Sequence, residues 1–355
     1  MPRKNKSRGR NVLVSRFSAL GDVAMTLPAV YNACAANPDD RFYFLTRHHP
    51  AQMFINAPEN LTMVGVDLDN YKGANGMWRL AASLRKRYGI DTFVDLHDVL
   101  RTKLLRLFLT LRGVKCHSIR KGRKAKKRLT RRNRKVLIQL KPTPVRYEET
   151  FRRAGIPLGD TFRSLFGNGK GDPTAFASVT PPKKEGDYWL AIAPFAKHEG
   201  KIYPFELTAK VAEHFAELPN CRIFMLGFGH REEELIGRLA AAHPSIVNMA
   251  SAGLGISAEL ALLSHCDAML SMDSANMHLA SLVGLRTVSI WGATHPYTGF
   301  MGWRQNPADA VQLEMTCRPC SVFGDRSCLR GDYYCLRGIN PQLIIQKLQT
   351  PSDKP

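Results

Sequence analysis

The chain has 355 residues, 44% of them hydrophobic and 9% aromatic. That suits two packed domains and excludes a disordered chain, a collagen-like repeat and a small disulfide-stapled scaffold. Lys and Arg total 51 against 30 Asp and Glu, a net charge of +21. The whole excess lies in residues 1–180 (35 basic, 13 acidic), while residues 181–355 carry 16 and 17. A basic half joined to a neutral half implies two domains with different partners, one of them anionic.

Residues 1–10 read as a basic, solvated arm. The apolar run after it, Val12-Leu-Val14, is too short for a secretory core, and no stretch approaches 18 apolar residues. A cytoplasmic location with reduced cysteines follows as the expectation. Residues 12–15 predict a strand, then a tight turn at Ser18-Ala-Leu-Gly-Asp22 and a helix from Val23 to Cys34. Strands are expected at 41–46, 61–66 and 91–96, and helices at 78–88 and 99–111. Strands alternating with helices argue for a parallel sheet covered on both faces. Residues 112–135 hold 13 Lys/Arg in 24 residues and no acid, so self-repulsion predicts a mobile centre unless an anion binds. The Gly-, Pro- and Ser/Thr-rich stretch 155–187 reads as a linker.

The alternation then repeats. Strands are predicted at 188–194, 222–227, 245–248, 268–272 and 287–291. Helices are predicted at 204–218, 232–242, 258–265, 275–284 and 339–348. The economical architecture is two Rossmann-like, doubly wound domains facing a cleft: residues 1–170 as a basic N-terminal domain, 186–338 as a C-terminal domain, and 339–355 as a closing helix and tail. In such sheets ligands bind at the carboxyl ends of strands.

Several groups fall at those ends. Asp22 follows a strand and a glycine turn; it is either a first-turn acid favoured by the helix dipole or an active-site carboxylate. Asp273 closes the strand 268–272. The N–H groups of Ser274, Ala275 and their neighbours open the next helix and suit a phosphate, with His278 one turn in; Asp273 can equally be a cap. Lys197, His198 and Lys201 precede the helix near Pro204 and can form an anion site. Glu232, Glu233 and Glu234 follow the Gly227-Phe-Gly229 turn, where one acid can accept hydrogen bonds from a ribose. Cys317, Cys320, Cys328 and Cys335 form a C-x2-C-x7-C-x6-C cluster; reduced structural thiols are the first reading, a structural zinc site held by four thiolates the second and disulfides the last.

Together these motifs resemble the heptosyltransferases of lipopolysaccharide core synthesis. The family's R-x-S-x-L-G-D-V-x-x-T-L-P stands here as Arg16 to Pro28, and its D-[ST]-G-x-x-H-x-A as Asp273 to Ala280. Val94 to Arg101 looks like D-L-Q-G-x-x-R-S, and Lys201 to Pro204 like K-x-W-P; the likeness spans about residues 11–348. Ala275 replaces the usual Gly, Asn276 the frequent Pro, and His97-Asp98 the usual Gln-Gly.

The resemblance implies a GT-B fold and an inverting transfer from an ADP-sugar, ADP-heptose in the first instance, that requires no cofactor. The implied catalytic residues are Asp22 as general base and Lys201 at the departing diphosphate. Lys197, Lys201, Glu233, Asp273, Ser274, Ala275 and His278 would bind the donor, and Arg16, Ser18, His97, Asp98 and Arg101 the acceptor. The implied acceptor is an anionic glycolipid, the lipid A-linked inner core, reached by peripheral, salt-sensitive binding to the inner leaflet through residues 112–135. Transfer of another nucleotide sugar onto a different envelope glycolipid is the alternative. RNA binding is the remote reading, because the basic run lacks interleaved aromatics and no RNA module is visible; no nucleic acid is expected.

Overall fold

A computed structural model describes residues 9–350. Most of the basic arm, residues 1–8, and the end of the tail, 351–355, lie outside the described residues. The chain divides into two compact units, residues 1–121 with 143–162, and residues 122–142 with 163–355.

The first unit is built on five parallel strands: β1 (Asn11–Ser15), β2 (Arg41–Thr46), β3 (Leu61–Gly65), β4 (Thr92–Asp95) and β5 (Lys115–Ser118), in the order β3-β2-β1-β4-β5. Val12, Leu13 and Val14 are completely buried, as expected of a central parallel strand covered on both faces. β1 pairs with β2 from Asn11↔Arg41 to Ser15↔Leu45, and with β4 from Val12↔Thr92 to Ser15↔Asp95. Leu13, Leu45 and Phe93 pack against the helices Gly73–Tyr88 and Leu100–Thr110. Gly89, in the left-handed region at φ 59°, ends the first of these. The single helix expected from Val23 to Cys34 is two, Leu20–Ala24 and Leu27–Ala36. Pro28 lacks an N–H and can sit only in the opening turn of the second.

The second unit holds β6 (Tyr188–Ala193), β7 (Cys221–Met225), β8 (Ile246–Asn248), β9 (Ala268–Met272), β10 (Thr287–Ile290) and the two-residue β11 (Ala310–Val311). All are parallel, in the order β11-β10-β9-β6-β7-β8. Leu190, Ile192, Ile223, Leu270 and Ile290 share a core with Val211, Phe215 and Ile236 of the covering helices. Ile344, Ile345 and Leu348 of the closing helix Pro341–Gln349 join them, so that helix is part of this unit. Asn340 caps it, accepting from the Gln342 N–H at 2.9 Å.

The basic segment differs from its expectation. It contains β5 and a helix, Arg123–Leu129, and from Gly122 to Pro142 it packs with the second unit, inside the span 1–170 expected of the first. Leu129 is fully buried. Lys126 lies 4.0 Å from the centre of the Phe300 ring, and Lys135 donates to the carbonyls of Thr316, Cys317 and Pro319 at 3.2, 2.8 and 3.1 Å. Those interactions tie the run to the second unit. They also redistribute the charge: the first unit holds 23 basic and 12 acidic residues, net +11, and the second 28 and 18, net +10. Neither unit is electrically neutral. Among the described residues no helix is long and apolar enough to cross a membrane.

Candidate active site

In an open parallel sheet, ligands bind where the chain changes the direction in which it adds strands. In the first unit that point lies between β1 and β4, since β2 and β3 extend one side and β5 the other. The two loops leaving there carry Arg16 to Asp22 and Asp95 to Arg101. Arg16 is buried and gives one Nη to the Leu96 carbonyl at 2.8 Å and the other to the Asp22 carboxylate at 2.6 Å. Asp22 also accepts from the Ala19 N–H at 3.3 Å, the first-turn contact expected of such an acid. Its backbone carbonyl accepts from the buried Tyr147 hydroxyl at 3.3 Å. The Asp22 side chain keeps 24% of its surface, against 8% for Arg16.

At the end of β4, the fully buried Asp95 accepts from the N–H groups of His97 and Asp98, both at 2.9 Å, and from Arg106 at 3.3 Å. Burial still pushes this carboxyl up. The turn sets Asp98 at φ 46° and directs His97 inward, where Nδ1 accepts from the Phe17 N–H at 3.5 Å. Burial, then the charges of Arg16 and Lys121, push His97 down to about 3. It is therefore a neutral imidazole at pH 7, and with Nδ1 accepting, its proton is assigned to Nε2. Arg101 is half-buried one turn on, within electrostatic reach of His97, and Ser18 is exposed. The structure thus gathers Arg16, Asp22 and His97. Asp95 and Tyr147 were not singled out in the sequence: Asp95 had a signal, an acid two residues before His97 at a strand end, and Tyr147, 125 residues from Asp22, had none.

In the second unit the switch lies between β6 and β9. Lys201 follows β6 on a single 3-10 turn, Glu199–Lys201, and its Nζ meets the Asp273 carboxylate at 2.9 Å. Gly200 is obligatory there, because a Cβ would come within 2.8 Å of the Ala293 methyl. Lys201 keeps 16% of its side-chain surface and Asp273 only 5%. Directly after Asp273, Ser274 is the N-cap of the helix Ala275–Leu282, and no side chain caps that helix start. The Ser274 hydroxyl pairs instead with that of Ser271 at 3.3 Å. The uncapped start of that helix thus directly follows the carboxylate that holds Lys201. His278 is buried within the helix, its carbonyl accepting from Ser281 at 2.6 Å. Lys197 is exposed on the loop. Glu232, rather than Glu233, closes the turn after β7 by accepting from the Phe228 N–H at 2.8 Å; Glu233 is half-buried beside it.

The four clustered cysteines line one small cavity, together with Arg318. Among the described residues no group of three or more His, Cys, Asp or Glu is arranged to hold a metal ion. Arg318 lies beside the cysteines. Its buried guanidinium donates to the carbonyls of Gly292, Trp291, Thr294 and Leu313 and to the Gln312 side chain. Its charge is within electrostatic reach of Cys317, Cys320 and Cys335. Burial pushes the Cys335 thiol up to about 11 and raises Cys320; partial burial works the same way at Cys328, but four backbone N–H groups of residues 330–333 outweigh it and pull that thiol down.

Comparison with known proteins places this arrangement. Residues 77–327 match the model of glycosyltransferase family 9 (heptosyltransferase), well over half of the chain. The chain belongs to that family. Within family 9, it is 27% identical over 176 residues to lipooligosaccharide heptosyltransferase 2 of Campylobacter jejuni, covering 47% of this chain and 54% of that protein. The chain spans about half the length of the Campylobacter relatives it matches. Against lipopolysaccharide heptosyltransferase 1 of Pseudomonas aeruginosa it is 23% identical, over 95% of this chain and 97% of the other. Among solved structures, a family 9 glycosyltransferase from Veillonella parvula superposes with a TM-score of 0.71 at 16% identity, covering 95% and 96% of the two chains. The E. coli heptosyltransferase WaaC with ADP superposes at 0.55 and 20%, covering 84% and 92%. These likenesses establish the fold: two parallel-sheet α/β domains of the GT-B type.

Proposed function

We propose that this chain is an inverting glycosyltransferase that moves heptose from ADP-heptose to the lipid A-linked inner core of lipopolysaccharide. The observation that carries the reading is the pair of opposite ion pairs at the two switch points: one leaves a carboxylate accessible, the other an ammonium beside an uncapped helix start. The names of family 9 relatives, and the ADP in the WaaC structure, support the donor and acceptor assignments.

The second unit takes the donor. Its diphosphate lies against the N–H groups of Ser274 and Ala275 and near Lys201, whose charge stabilises the departing ADP. Asp273 holds that ammonium in place, and a buried carboxylate so close to the phosphates acts through Lys201 and not on the anion itself. Glu233 accepts from the ribose, Lys197 adds charge at the rim, and His278 supports the helix start. In the first unit Asp22, steadied by Arg16, removes the proton from the acceptor hydroxyl as general base. That oxygen bonds to the anomeric carbon as the carbon–oxygen bond to ADP breaks, inverting the centre in one step with no sugar–enzyme bond. His97, as a neutral donor through Nε2, with Ser18, Asp98 and Arg101, orients the acceptor. An anionic acceptor at the cytoplasmic face of the inner membrane fits the positive charge of the chain, +11 in this unit and +10 in the other.

The test is a donor panel (ADP-heptose against other nucleotide sugars) with a delipidated core acceptor, read by mass spectrometry. A mass increase of one heptose from ADP-heptose is expected. Transfer of a different sugar favours the alternative, another envelope glycolipid transferase, and no transfer from any donor sinks the enzymatic reading.

A further inference from the structure

The helix Leu100–Thr110 is apolar on two faces. Leu105 and Leu109 are fully buried in the first unit's core. Leu100 and Leu107, with Leu111 just past the helix, are 75%, 52% and 67% exposed. Steps of seven and four residues put these three on a single stripe, with half-buried Leu104 between them. A surface helix ordinarily turns polar residues outward, so a second leucine stripe marks a face that something covers. Beside it stands Trp78, 44% exposed, from the neighbouring helix Gly73–Tyr88. Its ring meets Phe108 edge-on at 5.3 Å and carries the Arg112 guanidinium 3.7 Å above it.

Charge decides what covers this face. The two helices together hold seven Lys or Arg and no Asp or Glu. A second copy docking through the same patch would set cations against cations, because a two-fold interface pairs a surface with itself. An anionic lipid surface accommodates both features: leucines and indole enter the boundary between headgroups and acyl chains, while Lys and Arg reach to the phosphates. We propose that the Leu100–Leu111 stripe with Trp78 lies in the plane of an anionic bilayer surface. The helix begins just after His97 and Asp98, so a lipid-anchored molecule would meet the unit at the end of the sheet where those residues sit. This docking stands apart from the transfer reaction, and its test needs no sugar.

The experiment is co-sedimentation of the full chain with phosphatidylcholine vesicles, with and without phosphatidylglycerol. Salt-sensitive binding to the anionic vesicles is expected. The triple variant L100S/L107S/L111S should lower partitioning about ten-fold or more, with its melting temperature unchanged because all three side chains are exposed. Lys103→Gln should weaken binding about five-fold, the worth of one cation near the surface. Brominated lipids should quench tryptophan fluorescence in the native chain, and W78F should remove most of that quenching. The proposal falls if the triple variant binds vesicles like the native chain. It falls equally if binding follows R123Q/K124Q/K127Q and not the leucines, or if the leucine variant instead dissolves a dimer.

Discussion

The two candidate sites are built alike and wired oppositely. Each lies where a parallel sheet reverses the direction of strand addition, and each holds one close acid–base pair. In the first unit the cation is sunk and the carboxylate of Asp22 faces outward. In the second the carboxylate is sunk and the Lys201 ammonium faces outward. A buried ion pair adds little net stability, because desolvating both charges cancels most of their attraction. Its value here is orientation: the hidden partner fixes the direction of the exposed one. The same scaffold thereby presents a carboxylate in one unit and an ammonium in the other.

The sharpest way to break this comparison is Asp22→Asn, which keeps the shape and removes the proton acceptor. Turnover should fall about 10³-fold or more, while ADP binding followed by calorimetry stays near native; retained transfer would remove Asp22 from the chemistry. Lys201→Met should cost both functions of its unit, with kcat down roughly 10²-fold and ADP binding weakened. Asp273→Asn separates holding from contact: the ammonium remains but loses its guide, and a roughly ten-fold rise in donor KM is expected, with a smaller change in kcat. If Asp273 itself bound the sugar, kcat would fall by as much as KM rises.

The smallest effect concerns stability and pH. His97 and His295 are held neutral in the folded chain, at about 3 and about 4, first by burial and then by Arg16 and Arg318 respectively. Unfolded imidazoles take up protons near pH 6.5. Between pH 6.5 and about 4 the unfolded chain therefore binds two more protons than the folded one, and stability should fall as pH falls through that window. Urea titrations from pH 7.5 to 4.5 measure the slope, and His97→Gln should reduce it by one proton.

The strands were legible because fully buried parallel strands appear as short apolar runs such as Val12-Leu-Val14, bounded by turns. Asp22, Lys201 and Asp273 were legible because strand ends and helix starts can be read locally. The pairing of Lys201 with Asp273 was not, since it depends on β6 and β9 being neighbours, which is a matter of strand order. The packing of the basic segment with the second unit was not legible for a related reason. Its anchors are backbone carbonyls at 316–319 and the Phe300 ring, and a carbonyl acceptor leaves no mark in a sequence. The four cysteines were legible as a cluster from their spacing, while the burial of Arg318 beside them was not.

The segment Gly122–Pro142 has a practical consequence for dissecting the protein. It is a piece of the second unit inserted in the sequence of the first, so the chain passes between units three times. No single cut yields either unit whole. A fragment starting at residue 163 would lose the buried Leu129 and Leu140 and leave the carbonyls at 316–319 without Lys135. Exchange of units between relatives therefore has to carry this insert along with the C-terminal part, and a chimera joined at one point inherits a mismatched seam.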